Sequence, residues 1–140
     1  MFGPLDHVGL LVRDLDAAVA AAQATYGLPI ARSSQLPRYA IDAVFLGEGT
    51  GTLEIFTFTD AEILEPRLDG ADQRIDHVAF RVADLGALAA TLRANGVRFS
   101  GPDRRGELLE PISTGPTRSL WTVPETSAGL ALQLIEPPAQ

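Results

Sequence analysis

The sequence predicts an α+β fold made of two tandem βαβββ modules, and the main reason is an internal repeat. Residues 5–15 resemble residues 75–85, and nine of the nineteen residues from 6 to 24 are identical to the residue 70 positions later. Both histidines of the chain, His7 and His77, occupy the same position of this repeat. Such self-similarity indicates that one supersecondary unit occurs twice.

The elements of each copy follow from local signals. An apolar segment of strand length precedes an aspartate, Asp14 or Asp84, that can cap a helix. Alanine- and leucine-rich segments follow, and Gly27 or Gly96 favours their termination. Three further strand candidates come after each helix. The predicted strands are 5–12, 28–33, 40–46 and 52–58 in the first copy and 75–82, 97–100, 117–123 and 130–135 in the second, with helices at 15–25 and 85–95.

We expect a single domain over residues 1–140, with modules at 1–58 and 75–140 joined by a connector at 59–74. The connector is rich in Asp and Glu and is interrupted by Pro66 and Gly70. One four-stranded module of about 60–70 residues is only marginally stable alone. The two modules should therefore pack as one unit.

Composition excludes several classes of function. The formal charge of −7 disfavours binding to a phosphate backbone, so no nucleic-acid partner is expected. The chain has no cysteine and no lysine, which removes thiolate, Schiff-base and Cys-ligated metal chemistry. No apolar run reaches the ~20 residues of a membrane helix, and the N-terminus does not resemble a signal peptide. These features predict a cytoplasmic protein with no membrane partner.

The remaining chemistry centres on the two histidines. Alternation along a strand places His7 on the same face as Gly9, and His77 on the same face as Ala79 and Arg81. The last strand of each module carries a polar residue inside an apolar run, Glu54 or Gln133. Burying such a group is costly without a partner, and a metal would supply one. Two imidazoles, a carboxylate and an amide oxygen suit Co, Ni, Mn, Fe or Zn.

The doubled pattern, with Asp-His-Val at the start of each copy, resembles the vicinal oxygen chelate superfamily, which includes glyoxalase I, extradiol dioxygenases and bleomycin-resistance proteins. Within it, residues 36–46, 53–55, 115–124 and 129–134 are most similar to the methylmalonyl-CoA epimerases. The resemblance implies a curved mixed sheet around a metal site, and a homodimer. It also implies the metal ligands His7, Glu54, His77 and Gln133.

The implied mechanism is stabilisation of an enediolate by the metal, with carboxylates moving the proton. The epimerases, however, carry a glutamate where this chain has Gln133, and an amide does not shuttle protons at neutral pH. Glu54 is the carboxylate that remains. The other family base, on the strand before Glu54, has no clear counterpart, and Asp42 is the nearest candidate. A one-base reaction or another lyase or isomerase reaction fits equally well.

Three further residues are candidates for substrate binding, each with a structural alternative. Arg118 either contacts a phosphate or carboxylate of the substrate or is a surface arginine. Arg81 shares a face with His77 and either holds a substrate carboxylate or forms a structural ion pair. Trp121 belongs to the core or to the pocket wall. Glu136 lies an odd number of residues from Gln133 and should face the other side of the strand.

Three functions remain open on this reasoning. The first is a metal-dependent enzyme resembling an acyl-CoA epimerase, with a small-molecule substrate and a divalent cofactor. The second is a glyoxalase-type lyase or isomerase acting on a hemithioacetal or another small metabolite. The third is a non-catalytic protein of the bleomycin-resistance type that sequesters a drug or metabolite.

Overall fold

The computed structural model describes residues 1–139. This part of the chain contains nine strands, three α-helices and two short 3-10 turns, at Pro37–Tyr39 and Pro124–Thr126. The strands are β1 (Phe2–Val12), β2 (Ile30–Leu36), β3 (Ile41–Leu46), β4 (Thr52–Phe58), β5 (Gln73–Val82), β6 (Phe99–Ser100), β7 (Ile112–Ser113), β8 (Arg118–Thr122) and β9 (Leu132–Glu136). The helices are α1 (Leu15–Tyr26), α2 (Ala61–Leu68) and α3 (Leu85–Ala94).

The chain forms two compact units, which we call the N-terminal unit (His7–Asp76) and the C-terminal unit (Met1–Asp6 with His77–Gln140). The N-terminal unit has the strand order β2-β3-β4-β1, with β1 parallel to β4 and the other pairs antiparallel. The C-terminal unit has the order β5-β9-β8-β6, with β5 parallel to β9, and β7 pairs with β8. The predicted α+β class with a mixed sheet is confirmed, and each half follows the predicted βαβββ order except for the additional strand β7 in the second half.

The predicted helix caps are also confirmed. The Asp14 carboxylate accepts a hydrogen bond from the Ala17 amide at 3.1 Å, and Asp84 accepts one from Ala87 at 2.9 Å. These carboxylates satisfy backbone donors that the first helical turn leaves unpaired. Helix α1 ends at Gly27, whose φ of +64° is the left-handed conformation that glycine adopts most readily.

Both faces of the N-terminal sheet are covered by helices. One face packs against α1 through a cluster that includes Val12, Leu46 and Ile55, and the other packs against α2 through Phe58 and Leu68. Complete burial of a side chain such as Leu68 contributes about 1.5–3 kcal/mol. This double coverage explains why β3 and β4 are largely apolar on both faces.

In the C-terminal unit, α3 covers one face of the sheet. Its Leu85, Leu88 and Ala89 pack with Phe99, Leu120 and Leu134. Gln133 precedes Leu134 in β9 and therefore points to the face that α3 leaves uncovered.

Helix α2 lies within the segment expected to be only a connector. Asp60 caps it by accepting a hydrogen bond from the Glu62 amide at 2.9 Å, and its Ile63, Leu64 and Leu68 are buried. Burial of this apolar face outweighs the cost of Pro66 inside the helix. At its end, Arg67 donates to both oxygens of the Asp76 carboxylate, at 2.7 and 2.8 Å.

Strand boundaries differ from the expected ones mainly near prolines and loops. The predicted strand 28–33 is observed as β2, which starts after Pro29 and stops before Pro37. Pro lacks the amide proton that a ladder requires, which accounts for both limits. The second copy of this strand, β6, has only two residues, and the short β7 was not expected. None of the helices among residues 1–139 has the length and apolar character needed to span a membrane.

Candidate metal centre

The N-terminal unit places a carboxylate next to its histidine. Strand β1 runs parallel to β4 with Gly9 opposite Glu54, so Glu54 shares a face with His7. We call this the site face of the unit. The Nε2 atom of His7 lies 3.4 Å from Oε1 of Glu54, and the imidazole is only 2% exposed. Two donors bound tetrahedrally to one ion, with bonds of about 2.1 Å, lie about 3.4 Å apart, so this spacing suits a shared metal.

A row of four residues crosses the N-terminal sheet on this face. Glu54 lies opposite Gly9 on one side and Phe45 on the other, and Phe45 in turn lies opposite Arg32 of β2. The Phe45 ring meets His7 edge-on with 5.2 Å between ring centroids. The Arg32 guanidinium carbon lies 3.7 Å from the centroid of Phe45. Within residues 1–139 no carboxylate forms an ion pair with Arg32, so no acidic residue of this part of the chain neutralises its positive charge.

The C-terminal unit repeats this arrangement with different chemistry. Ala79 of β5 lies opposite Gln133, Gln133 lies opposite Trp121, and Trp121 lies opposite Ser100. His77 precedes Ala79 by two residues and therefore lies on the same face, where it is 6% exposed. The Gln133 amide nitrogen donates to the Ser119 hydroxyl at 3.2 Å. The amide oxygen is then directed away from that hydroxyl and is suited to bind a cation.

One ligand atom from each of His7, Glu54 and His77 lies within 4.8 Å of the other two. Among residues 1–139, these three form the one group of histidine and acidic side chains that is close enough together to hold a metal ion. Two imidazoles and a carboxylate bind first-row divalent ions such as Fe, Co, Ni and Zn. Because the two imidazoles are buried and Glu54 is half-buried, desolvation favours a cation among them. The residues present therefore fit a divalent metal.

The expectation that Asp42 supplies a second acid or base is not supported by the register. Asp42 lies opposite Thr57, three residues from Glu54 along β4, and an odd separation places it on the opposite face. Its other cross-strand neighbour is Gln35 of β2. On the site face, β3 instead presents Ile41, Ala43 and Phe45, none of which ionises.

The two candidate arginines of the C-terminal unit are engaged in ion pairs. Arg81 donates to Asp6 at 2.8 Å. Arg118 donates to Glu136 at 2.6 Å, and Glu136 also accepts from the Leu85 amide at 2.7 Å. The hydrogen bond from the Leu85 amide is the main reason why the pKa of Glu136 lies below its ordinary value, and the hydrogen bond from Arg118 lowers the pKa further. For both arginines the structural alternative describes the observed contacts.

Trp121 is 7% exposed and lies beside Gln133, where it forms a wall next to that side chain.

Two residues near the site were not predicted from the sequence, Ser119 and Arg32. Ser119 carries the signal that identified Glu54 and Gln133, a polar residue inside an apolar strand. Arg32 carries no such signal, because its face depends on how β2 pairs with β3.

The fold and this site define a protein of the glyoxalase type. The family model for the glyoxalase/bleomycin resistance protein/dioxygenase superfamily matches residues 6–112. The chain belongs to this superfamily. No curated protein sequence matches the chain significantly.

Solved structures are similar over nearly the whole chain. A variant of Streptomyces coelicolor methylmalonyl-CoA epimerase in complex with 2-nitronate-propionyl-CoA has a TM-score of 0.85 and 24% identity, and the match covers 99% of this chain and 100% of that chain. Methylmalonyl-CoA epimerase from Mycobacterium tuberculosis has a TM-score of 0.82 and 25% identity, with 96% of this chain and 88% of that chain covered. A hypothetical protein from Bacillus halodurans C-125 has a TM-score of 0.81 and 19% identity, with 98% and 96% covered. This likeness confirms the glyoxalase-like fold.

Proposed function

We propose that the chain is a metal-dependent enzyme that stabilises an enolate or enediolate of a small substrate. The observation that carries this proposal is the convergence of His7, Glu54 and His77 within 4.8 Å. Gln133 is the fourth ligand in the proposal, because it occupies in the C-terminal unit the register position that Glu54 occupies in the N-terminal unit.

A bound divalent ion would polarise a substrate carbonyl and acidify the adjacent carbon. Glu54 then removes the proton from that carbon and returns it, so that no other reactant is consumed. It is the ionisable group that β3 and β4 present on the site face, since Ile41, Ala43 and Phe45 fill that face of β3. Phe45 and Trp121 supply apolar surface that excludes water from the two polar ligands beside them.

The structural neighbours favour an acyl-CoA substrate related to methylmalonyl-CoA. Inverting a carbon centre requires a proton to leave one face and another to arrive on the opposite face, which two acid/base groups normally provide. The single carboxylate of this site instead favours a reaction in which one group serves both transfers. For this reason we keep a second candidate, a glyoxalase-type isomerase that moves a proton between adjacent carbons.

Arg32 supplies the recognition of an anionic substrate in this proposal. Its guanidinium lies over Phe45, which itself contacts His7. A planar guanidinium with free edges binds a carboxylate or phosphate through paired hydrogen bonds. We therefore expect the substrate to carry such a group next to its reacting carbon.

The homodimer and the cytoplasmic location stay predictions. Size-exclusion chromatography with light scattering tests the homodimer.

The test combines metal analysis with proton exchange. The protein is loaded with Co²⁺ or Zn²⁺ and incubated in deuterated water with (2R)-methylmalonyl-CoA or with the hemithioacetal of methylglyoxal and glutathione. We expect one ion per chain, and exchange of a substrate C–H followed by NMR. Exchange at C2 of methylmalonyl-CoA favours the epimerase reaction, whereas conversion of the hemithioacetal favours the second candidate.

His7→Ala is the control, because it removes one ligand and should abolish both metal binding and exchange. A wild-type chain that binds neither ion contradicts the proposal. That result would favour the hypothesis of a non-catalytic binding protein of the bleomycin-resistance type.

A further inference from the structure

A chain of hydroxyl groups connects Gln133 to a loop of the C-terminal unit. Gln133 is 7% exposed and Ser119 is fully buried. The Ser119 hydroxyl lies 3.2 Å from the Gln133 amide nitrogen and 3.1 Å from the Thr114 hydroxyl. The Thr114 hydroxyl lies 2.6 Å from that of Thr117, which in turn lies 3.3 Å from the Thr114 carbonyl oxygen.

The end of this chain fixes its direction. All of these contacts are hydrogen bonds at once in one arrangement only. In it Thr117 donates its single proton to the Thr114 carbonyl, the Thr114 hydroxyl donates to Thr117, and Ser119 donates to the Thr114 hydroxyl. With its own proton committed, the Ser119 oxygen can only accept from Gln133, and only the amide NH₂ can donate to it. The hydroxyl chain therefore selects one of the two amide orientations of Gln133.

The loop that ends the chain is itself constrained. The Thr114 amide donates to the Thr117 carbonyl at 2.9 Å, and the Ser113 hydroxyl donates to the Gly115 carbonyl at 3.0 Å. Gly115 has a φ of +90°, which other residues adopt only with strain. A tight turn thus holds the two threonine hydroxyls in place.

We propose that Ser119, backed by Thr114 and Thr117, is a positioning residue that turns the Gln133 amide oxygen toward the metal. Strand β9 lies between β8, which carries Ser119, and β5, which carries His77. With its nitrogen bound to Ser119, Gln133 directs its oxygen away from β8 and toward β5. Outer contacts of this kind orient metal ligands and raise metal affinity. The inference rests on the proposed function, because it assigns the orientation of one of the proposed ligands.

The arrangement also accounts for an amide at position 133. A glutamate carboxylate has no proton to donate to Ser119, so Ser119 would have to donate to the carboxylate, and one of the other three contacts of the hydroxyl chain would be left without a proton. The hydroxyl chain and the glutamine therefore match each other as donors and acceptors.

The test measures Co²⁺ affinity of the whole chain by calorimetry, together with the visible absorption of the bound cobalt. Ser119→Ala should weaken binding about 10- to 100-fold and alter the cobalt spectrum. Thr114→Val keeps the size of the side chain and removes the middle hydroxyl, and we expect a loss of about fivefold. Thr91→Val is the matched control, because Thr91 bonds only within α3 and should leave affinity unchanged.

Gln133→Ala separates positioning from a general structural effect. If Ser119 acts through Gln133, adding Ser119→Ala to Gln133→Ala should cause no further loss of affinity. Wild-type affinity in the Ser119→Ala variant, or an equal further loss in the double variant, overturns the positioning role while the proposed function stands. A wild-type chain that binds no cobalt overturns both.

Discussion

The N-terminal unit offers a carboxylate and a cation where the C-terminal unit offers an amide and a hydroxyl. Both units place a small residue two positions after the histidine, with a polar residue opposite it and an aromatic residue on the next strand. The row reads Gly9, Glu54, Phe45 and Arg32 in one unit and Ala79, Gln133, Trp121 and Ser100 in the other. The frame is common to both units, and the chemistry differs at its polar positions.

This difference indicates that the two units have different roles in the proposed site. The N-terminal unit carries the group that can take up a proton and the arginine that can bind an anion. The C-terminal unit carries Gln133, the proposed neutral ligand, whose amide nitrogen donates to the Ser119 hydroxyl. A duplicated fold can differ in chemistry in this way while its frame is kept, because the backbone register already brings equivalent positions to equivalent places.

The largest expected effect comes from replacing the carboxylate of one proposed ligand, Glu54, by an amide, and the amide of the other, Gln133, by a carboxylate. Glu54→Gln keeps an oxygen ligand but removes the proton acceptor, so substrate proton exchange should fall about 10²- to 10⁴-fold. Metal content should change little. The measurement is NMR-detected exchange in deuterated water, with metal content determined on the same samples.

Gln133→Glu is the matched variant, and it places a second carboxylate on the C-terminal side. Epimerisation of methylmalonyl-CoA should rise relative to simple exchange at C2. The Glu54→Gln, Gln133→Glu double variant moves the carboxylate of the proposed site from the N-terminal unit to the C-terminal unit. Full exchange activity in Glu54→Gln alone would show that another group moves the proton.

Arg32 and Arg118 provide the next contrast, because Arg32 forms no ion pair with residues 1–139 whereas Arg118 pairs with Glu136. Arg32→Gln should raise KM for an anionic substrate about tenfold with little change in kcat, since it removes one charged contact of about 1.4 kcal/mol. Arg118→Gln should leave KM unchanged. Steady-state kinetics at two salt concentrations check this, and an equal rise in KM for both variants contradicts the assignment to Arg32.

Much of this comparison could be predicted from the sequence, and the rest depended on register. The repeat located both histidines and both capping aspartates, and the apolar runs around them located the polar residues Glu54 and Gln133, because each of these signals can be read along the sequence. The face of Asp42 and the position of Arg32 depend on how β2, β3 and β4 pair. That pairing is set by contacts between distant residues, which periodicity along one strand does not specify.

Helix α2 and Ser119 illustrate two other limits of local signals. Pro66 and the acidic composition pointed to an irregular connector, whereas burial of Ile63, Leu64 and Leu68 stabilises a helix there. Ser119 is visibly polar in an apolar strand. Its bond to Gln133 nevertheless required knowing that β8 lies beside β9.

Glu136 distinguishes the helix ends of the two units. In the C-terminal unit its carboxylate accepts from the Leu85 amide at the start of α3. Thr57 occupies the corresponding position in the N-terminal unit, three residues after Glu54, and its buried hydroxyl has no hydrogen-bond partner among the described residues. Glu136→Gln should therefore lower the free energy of unfolding by about 1.5 kcal/mol near neutral pH.

The loss in Glu136→Gln should depend on pH. Because folding lowers the pKa of Glu136 below 4.5, its charge stabilises the fold above that value, and this contribution disappears as the pH falls through the folded pKa. Urea denaturation from pH 7 to pH 3 should show the wild type and the variant converging at acid pH. A difference between them that does not vary with pH contradicts a role for the charge.

The smallest expected effect concerns the two capping aspartates. Asp14→Ala should lower the free energy of unfolding by about 1 kcal/mol, since it removes the acceptor for the Ala17 amide. Asp84→Ala should cost about half as much, because Glu136 still accepts from the first turn of α3 and keeps a negative charge near its N-terminus. Adding Glu136→Gln to Asp84→Ala should then cost more than the sum of the separate losses, as measured by urea denaturation. Equal losses for the two caps and additivity in the double variant would mean that Glu136 does not substitute for Asp84, and that the two helix ends are equivalent despite their different neighbours.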